Sequence, residues 1–218
     1  MGSSQQFLVL GLGRFGGALA TTLVDVGHEV LGVDADAKRV QLHRDLLTHV
    51  VEADTTSVAA LRQLGAGDFQ TAVVAIGTDV EASILTTAAL VDLGVARIVA
   101  KAVTEAHGKI LERVGAHRVV FPERDTGVRV GHSLTGNIMD YIQLDPGFAL
   151  VETTAPSGLV GKALGEAQVR QKYGITVVCI KPVGGSFTYA TPDTVIREGD
   201  ILVVAGETGR AEAFGELG

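Results

Sequence analysis

"FLVLGLGRFGGALATTLVDVGHEVLGVDAD", residues 7–36, decides the fold. An apolar run at 7–10 leads into a turn carrying Gly11, Gly13 and Gly16. A helix-compatible stretch follows as far as Val26, and a second apolar run at 29–33 ends on Asp34. Strand, glycine-rich turn, helix and strand in that order make a βαβ unit that cradles phosphate. Gly11 permits the tight turn, Gly13 lets phosphate approach the backbone, and Gly16 lets the helix pack close to the sheet. The free N–H groups at the helix start and the positive end of its dipole then hold an anion. Asp34 can accept hydrogen bonds from both ribose hydroxyls, and its charge disfavours a 2′-phosphate. Its competing reading is a helix N-cap, because the next helix begins near Asp36.

Working outward, short apolar runs recur at 7–10, 29–33, 49–52, 72–76, 97–100 and 118–121. Helix-like stretches at 15–26, 57–64, 80–93 and 105–114 fill the gaps, and several stop at a glycine: Gly27, Gly65, Gly94 and Gly115. Near-continuous apolar strands alternating with helices predict a doubly wound, Rossmann-like parallel sheet covered on both faces. The pattern changes after Phe121. Pro122 suits the first turn of a helix, with Glu123 and Asp125 favourable at its positive end. That helix is expected to run to about Tyr141 and meet the turn "LDPG" at 144–147. Strands are expected at 148–154, 175–181, 186–189 and 201–205, with "VGGS" at 183–186 as a hairpin turn. The division is therefore 1–141, a nucleotide-binding domain with its crossover helix, and 142–218, a smaller α+β domain.

Composition narrows the class. The 218 residues are 46% hydrophobic and 20% charged, with a net charge of −7. The acidic balance argues against a nucleic-acid partner. No apolar run reaches the roughly 18–20 residues needed to span a bilayer, and a secretory signal pattern is absent. The single cysteine, Cys179, lies between apolar neighbours and reads as a core filler. These features predict a soluble, cytoplasmic protein.

Further strand ends should line the same crevice as the glycine turn. They bring Asp54 and Thr55 after the third strand, Ile76 and Gly77 after the fourth, Lys101 at the end of the fifth, and Glu123 after the sixth. Asp54 and Thr55 could read an adenine edge or simply cap a helix. Arg14, with Phe15 beside it, stands where phosphates should lie. A guanidinium there can grip phosphate with two parallel hydrogen bonds. Backbone amides already serve one diphosphate, so the extra cation suits a longer phosphate chain; lying along the surface is its other reading. Lys101 adds a second cation, its other reading being a solvated surface lysine, and Glu123 a carboxylate for a bridging metal.

Two function classes remain. A small NAD-dependent oxidoreductase is favoured by the glycine turn and Asp34. It would need an acid–base group beside a substrate clamp, and the six scattered histidines show neither that pairing nor metal-ligand spacing. A binding protein that senses a nucleotide fits better.

The chain resembles the "regulator of potassium conductance" family, the regulatory subunits of Trk/Ktr-type potassium uptake systems. In the first half the likeness rests on "VLGLGRFGGALA", "GHEVLGVDAD", "AVVAIG", "ARIVAKA" and "GAHRVVFPERDTGVRV". In the second it rests on "GLVGKAL", "VRQKYGITVVCIKP" and "PDTVIREGDILVVAG". The resemblance implies dimers that assemble into an octameric ring beneath an integral-membrane, potassium-translocating subunit, on the cytoplasmic side. It implies ATP or ADP as ligand, with NAD(H) preferred by some members, and no catalysis. By position, Arg14 resembles the family's terminal-phosphate arginine, Asp34 its ribose carboxylate, and Glu123 the carboxylate near the γ-phosphate and its divalent or monovalent cation. In many relatives the second domain binds cyclic di-AMP between two copies; Arg170, Tyr173, Ile175 and Pro192 could line such a pocket here, the alternative being a packed dimer core with no ligand.

Overall fold

The computed structural model describes residues 4–134 and 136–217. The chain divides into two units, Met1–Glu123 and Arg124–Gly218.

The first unit alternates strands and helices: β1 (Gln6–Leu10), α1 (Arg14–Asp25), β2 (Glu29–Asp34), α2 (Ala37–His43), β3 (His49–Glu52) and α3 (Val58–Gln63). The alternation continues through β4 (Thr71–Val74), α4 (Val80–Asp92), β5 (Arg97–Lys101), α5 (Glu105–Val114) and β6 (Arg118–Val120). The six strands are all parallel, in the order β3-β2-β1-β4-β5-β6. Alternate residues of the central strands point to opposite faces. Leu8, Leu10, Ala72, Val74 and Ile98 pack with Leu61, Leu90 and Leu111 from α3, α4 and α5. Val9, Val30 and Val73 pack on the other face with Leu12, Leu19, Ala20 and Leu23. Each face of the sheet is thus sealed by its own apolar cluster. This is the expected doubly wound fold.

The second unit takes up α6 (Pro122–Ser133) from its third residue onward, then β7 (Ile138–Asp145), β8 (Phe148–Thr154), α7 (Leu164–Ala167) and α8 (Val169–Tyr173). It ends with β9 (Ile175–Lys181), β10 (Thr188–Tyr189), β11 (Ile201–Glu207) and α9 (Thr208–Gly215). Its sheet is antiparallel, ordered β10-β9-β11-β8-β7. β8 and β11 alternate residue by residue between buried and partly exposed positions. Ala149, Val151, Leu202 and Val204 on the buried face meet Ala167 and Val169 of the α7–α8 segment and Ala211 and Phe214 of α9.

One expected element is corrected. The crossover helix stops at Ser133 rather than near Tyr141, and residues 138–145 form β7, the edge strand of the second sheet. Gly136, at φ +60°, takes a conformation that stops a helix. The carboxyl-terminal half of α6 is tied to the second unit, which is why the chain divides before it rather than after it. Arg129 holds Asp140 of β7 through two hydrogen bonds, and the His132 ring stacks on Tyr141, centroids 3.9 Å apart.

Candidate functional site

In this strand order the chain reverses direction across the sheet at β1 and β4, and open α/β sheets bind ligands beyond the carboxyl ends of the strands at such a point. A cavity of about 700 Å³ lies there. Gly11, Gly13, Arg14, Phe15, Asp34, Asp54, Thr55, Ile76, Gly77, Lys101 and Glu123 all line it. Gly16 lies beneath the lining, where an added Cβ would run into the Gly11 carbonyl oxygen.

The glycine turn forms one wall. Gly11 has φ +95° and donates its N–H to the Val33 carbonyl at 2.8 Å, which swings the chain off β1 toward α1. A Cβ on Gly13 would meet no protein atom within 4 Å, so the space before it is open. The helices α2, α3, α4 and α5 each begin on a capping side chain: Asp36, Ser57, Asp79 and Thr104. α1 begins on Gly13, which supplies no such oxygen. Its first-turn N–H groups are therefore left for an anion.

Asp34 stands at the far end of the turn, 5% exposed. One carboxylate oxygen accepts the Leu12 N–H at 2.6 Å, and the other accepts the Asp36 N–H at 2.8 Å. The residue capping α2 is Asp36, through the Lys38 N–H, so the cap reading of Asp34 falls away. Arg39, which the sequence reading missed, lies 3.3 Å from Asp34 and 3.6 Å from Asp36 and also lines the cavity. Its signal was its place in the first helix after Asp34.

After β3, Asp54 accepts hydrogen bonds from the Thr56 hydroxyl and N–H, and the former chiefly holds its carboxyl below the ordinary range. This turn hands the chain to α3, whose cap is Ser57. The Thr55 hydroxyl accepts from Thr86 of α4 at 3.1 Å, so Thr55 braces the cavity wall.

Near Arg14 and Phe15, the Lys101 ammonium donates to Glu123 at 2.5 Å. The lysine side chain is 10% exposed and the glutamate 62%. Lys101 crosses Gly77 so closely that a Cβ there would sit 2.9 Å from Nζ. A larger residue at position 77 would push the end of the lysine side chain aside. The hydrogen bond from Lys101 is the main cause holding the Glu123 carboxyl below its ordinary range, and Arg14 adds a smaller attraction. Arg14, Lys101 and Glu123 thus form one charged cluster beside the open amides of α1. Thr78, Asp79, Ala82 and Val103 complete the wall after β4 and β5, and the sequence reading did not foresee them. Among the described residues, no three histidine, cysteine, aspartate or glutamate side chains gather as a metal site.

In the second unit a shallower cavity of about 430 Å³ is lined by Arg170, Ile175 and Pro192, together with Gln168, Thr176 and Thr191. Tyr173 does not line this cavity. Its ring lies edge-on to Phe214, centroids 5.3 Å apart, and packs against the core of the second unit.

The TrkA-N domain family matches residues 7–122 and the TrkA-C domain family residues 148–217. The Ktr system potassium uptake protein A of Bacillus subtilis (strain 168) is 40% identical over 204 residues, 93% of this chain and 92% of that protein. The Ktr system potassium uptake protein C of the same organism is 39% identical over 203 residues, with the same coverage. Among solved structures, the GsuK RCK domain superposes with a TM-score of 0.70 at 21% identity, covering 99% of this chain and 48% of that one. The GsuK channel bound to NAD superposes with a TM-score of 0.67 at 20% identity, covering 99% of this chain and 39% of that one. This chain therefore spans less than half of the GsuK chains it matches, and the likeness to them is one of fold. With both domain families matched in order and relatives covered almost end to end, the chain belongs to the TrkA-N and TrkA-C domain families, alongside the Ktr system potassium uptake proteins.

Proposed function

We propose that this protein is a non-catalytic regulatory subunit that binds an adenosine nucleotide and controls a membrane potassium-translocating partner. The observation that carries the reading is the uncapped start of α1, open toward a cavity with Arg14 and Lys101 at one end and Asp34 at the other. The relatives' part in Ktr potassium uptake supplies the process. The phosphates would take the α1 amides and Arg14, while the ribose hydroxyls would donate to Asp34. Asp54 and Thr55 would border the base, with Ile76 and Gly77 forming the floor. ATP and ADP suit the cluster at the phosphate end. Glu123 is one exposed carboxylate beside the expected phosphates, which fits a cation completed by phosphate and water.

Control follows from linkage. A ligand shifts a conformational equilibrium only through different affinities for the two states. In the proposed assembly, dimers form an octameric ring on the cytoplasmic face of the membrane, and the terminal phosphate supplies that difference. No helix among the described residues is long and apolar enough to cross a membrane, so the pore would come from the partner. The cavity at Arg170, Ile175 and Pro192 is the proposed seat of cyclic di-AMP, where the guanidinium would meet a phosphate.

A small NAD-dependent oxidoreductase is the second reading, favoured by the NAD carried by the GsuK channel. A calorimetric screen of ATP, ADP, NADH and cyclic di-AMP, with particle mass followed by light scattering, separates the two. The regulatory reading expects ATP or ADP binding and a ring-sized particle. A monomer without affinity for adenosine nucleotides contradicts it, and turnover of NADH with small carbonyl compounds favours the second.

A further inference from the structure

The pair formed by Lys101 and Glu123 occupies the phosphate end of the cavity and joins two different parts of the chain. Lys101 is the last residue of β5, and Glu123 lies in the first turn of α6. Glu123 is also the final residue of the first compact unit. The two ends of the pair differ in freedom. The lysine is confined: its side chain is 10% exposed, crosses Gly77, and holds its ammonium 5.8 Å from the centre of the Phe15 ring. The glutamate is mostly in solvent and is held by Lys101 and its own N–H. Any change of partner must therefore move Glu123.

A nucleotide's terminal phosphate entering this end brings negative charge to a place that already holds the Glu123 carboxylate. With no cation between them, phosphate and carboxylate repel each other and compete for the same ammonium. We propose that the Lys101–Glu123 ion pair is an exchangeable latch. The incoming phosphate takes Lys101 as its partner, and Glu123 is released at the first turn of α6. This inference rests on the nucleotide reading of the cavity and adds how occupancy reaches the connecting helix. The released carboxylate still has the positive end of α6 beside it, a favourable place for an anion. The confined lysine, by contrast, is already aimed into the cavity and needs no movement to receive phosphate. The exchange makes the start of α6 respond to phosphate, whereas adenosine alone leaves the latch closed.

The test uses the full-length protein with divalent ions chelated, titrated calorimetrically with ATP and with adenosine as a phosphate-free probe. Glu123→Gln frees Lys101, and Lys101→Met removes the shared partner; melting curves verify that each variant is folded. In the presence of Lys101, Glu123→Gln should tighten ATP by about tenfold, which corresponds to about 1.4 kcal/mol. Adenosine affinity should stay within about twofold. In the Lys101→Met background the same Glu123 substitution should change ATP binding by less than about twofold. Equal tightening in both backgrounds overturns the latch, because it would reveal charge repulsion acting without a shared lysine. No tightening in either background overturns it as well. A wild-type protein that binds no ATP at all overturns the nucleotide reading, and the latch with it.

Discussion

At Gly16 an added Cβ would meet the Gly11 carbonyl oxygen and come within 2.8 Å of the Ala75 methyl, whereas at Gly13 it would meet nothing. Gly13 precedes α1 and Gly16 lies in its first turn, yet packing requires glycine only at Gly16. Gly16→Ala should destabilise the first unit by about 1–3 kcal/mol, as overpacking commonly does, and chemical denaturation would read it. Gly13→Ala should leave the melting temperature nearly unchanged while weakening nucleotide binding by at least about tenfold. Unaltered affinity at normal stability would remove Gly13 from the binding surface. The spacing of Gly11, Gly13, Gly16 and Asp34 made this wall legible in sequence. Arg39 and Gly77 were harder, because their roles depend on a neighbour brought close by folding: Arg39 leans on Asp34, and Gly77 makes room for Lys101. For Arg14, truncation to alanine should weaken ATP by about tenfold or more and NADH by less than about threefold, as expected for a charge-assisted contact to terminal phosphate. Equal losses for both ligands in calorimetry would contradict that role.

Among the elements, α6 is where sequence reading failed most clearly. Leu134, Ile138 and Tyr141 follow a helical spacing, and that pattern extended the expected helix across what is β7. Register irregularities at 138–140 and 143–145 break the alternation that would have marked the strand. Gly136 was the overlooked stop. By contrast, β8 and β11 pair without interruption and alternate cleanly, and both were legible from sequence. The anchor between α6 and β7 gives a pH prediction. Arg129, chiefly by hydrogen bonding, holds the Asp140 carboxyl below its ordinary value of 3.8. A depressed folded-state value stabilises the fold above the unfolded value and loses that contribution as pH falls through the folded one. The anchor should therefore be intact above about pH 4 and fade below it. Asp140→Asn should speed hydrogen exchange along residues 124–133 at neutral pH and abolish this acid-dependent step. Protection of α6 that is indifferent to the substitution would show that other contacts hold the helix.

At the scale of the molecule, each unit has its own hydrophobic core among the described residues, built in the first from one apolar cluster on each face of the sheet, and each has a candidate ligand cavity. Ligand binding stabilises the unit that holds the site, by about 2.7 kcal/mol when the ligand stands at 100 times its dissociation constant. ATP should therefore raise the unfolding transition reported by residues 6–123, and cyclic di-AMP the transition reported by the second unit, when hydrogen exchange is followed through thermal unfolding. A response of both units to ATP alone would mean that the two cores unfold as one. The central claim is that the crevice beyond β1 and β4 is an adenosine-nucleotide site read through its phosphates. A crystal structure of the protein grown with ATP tests it most directly. The account predicts the phosphates on the first-turn amides of α1 beside Arg14 and Lys101, with the ribose on Asp34; a nucleotide bound elsewhere, or an empty crevice at saturating ATP, would contradict it.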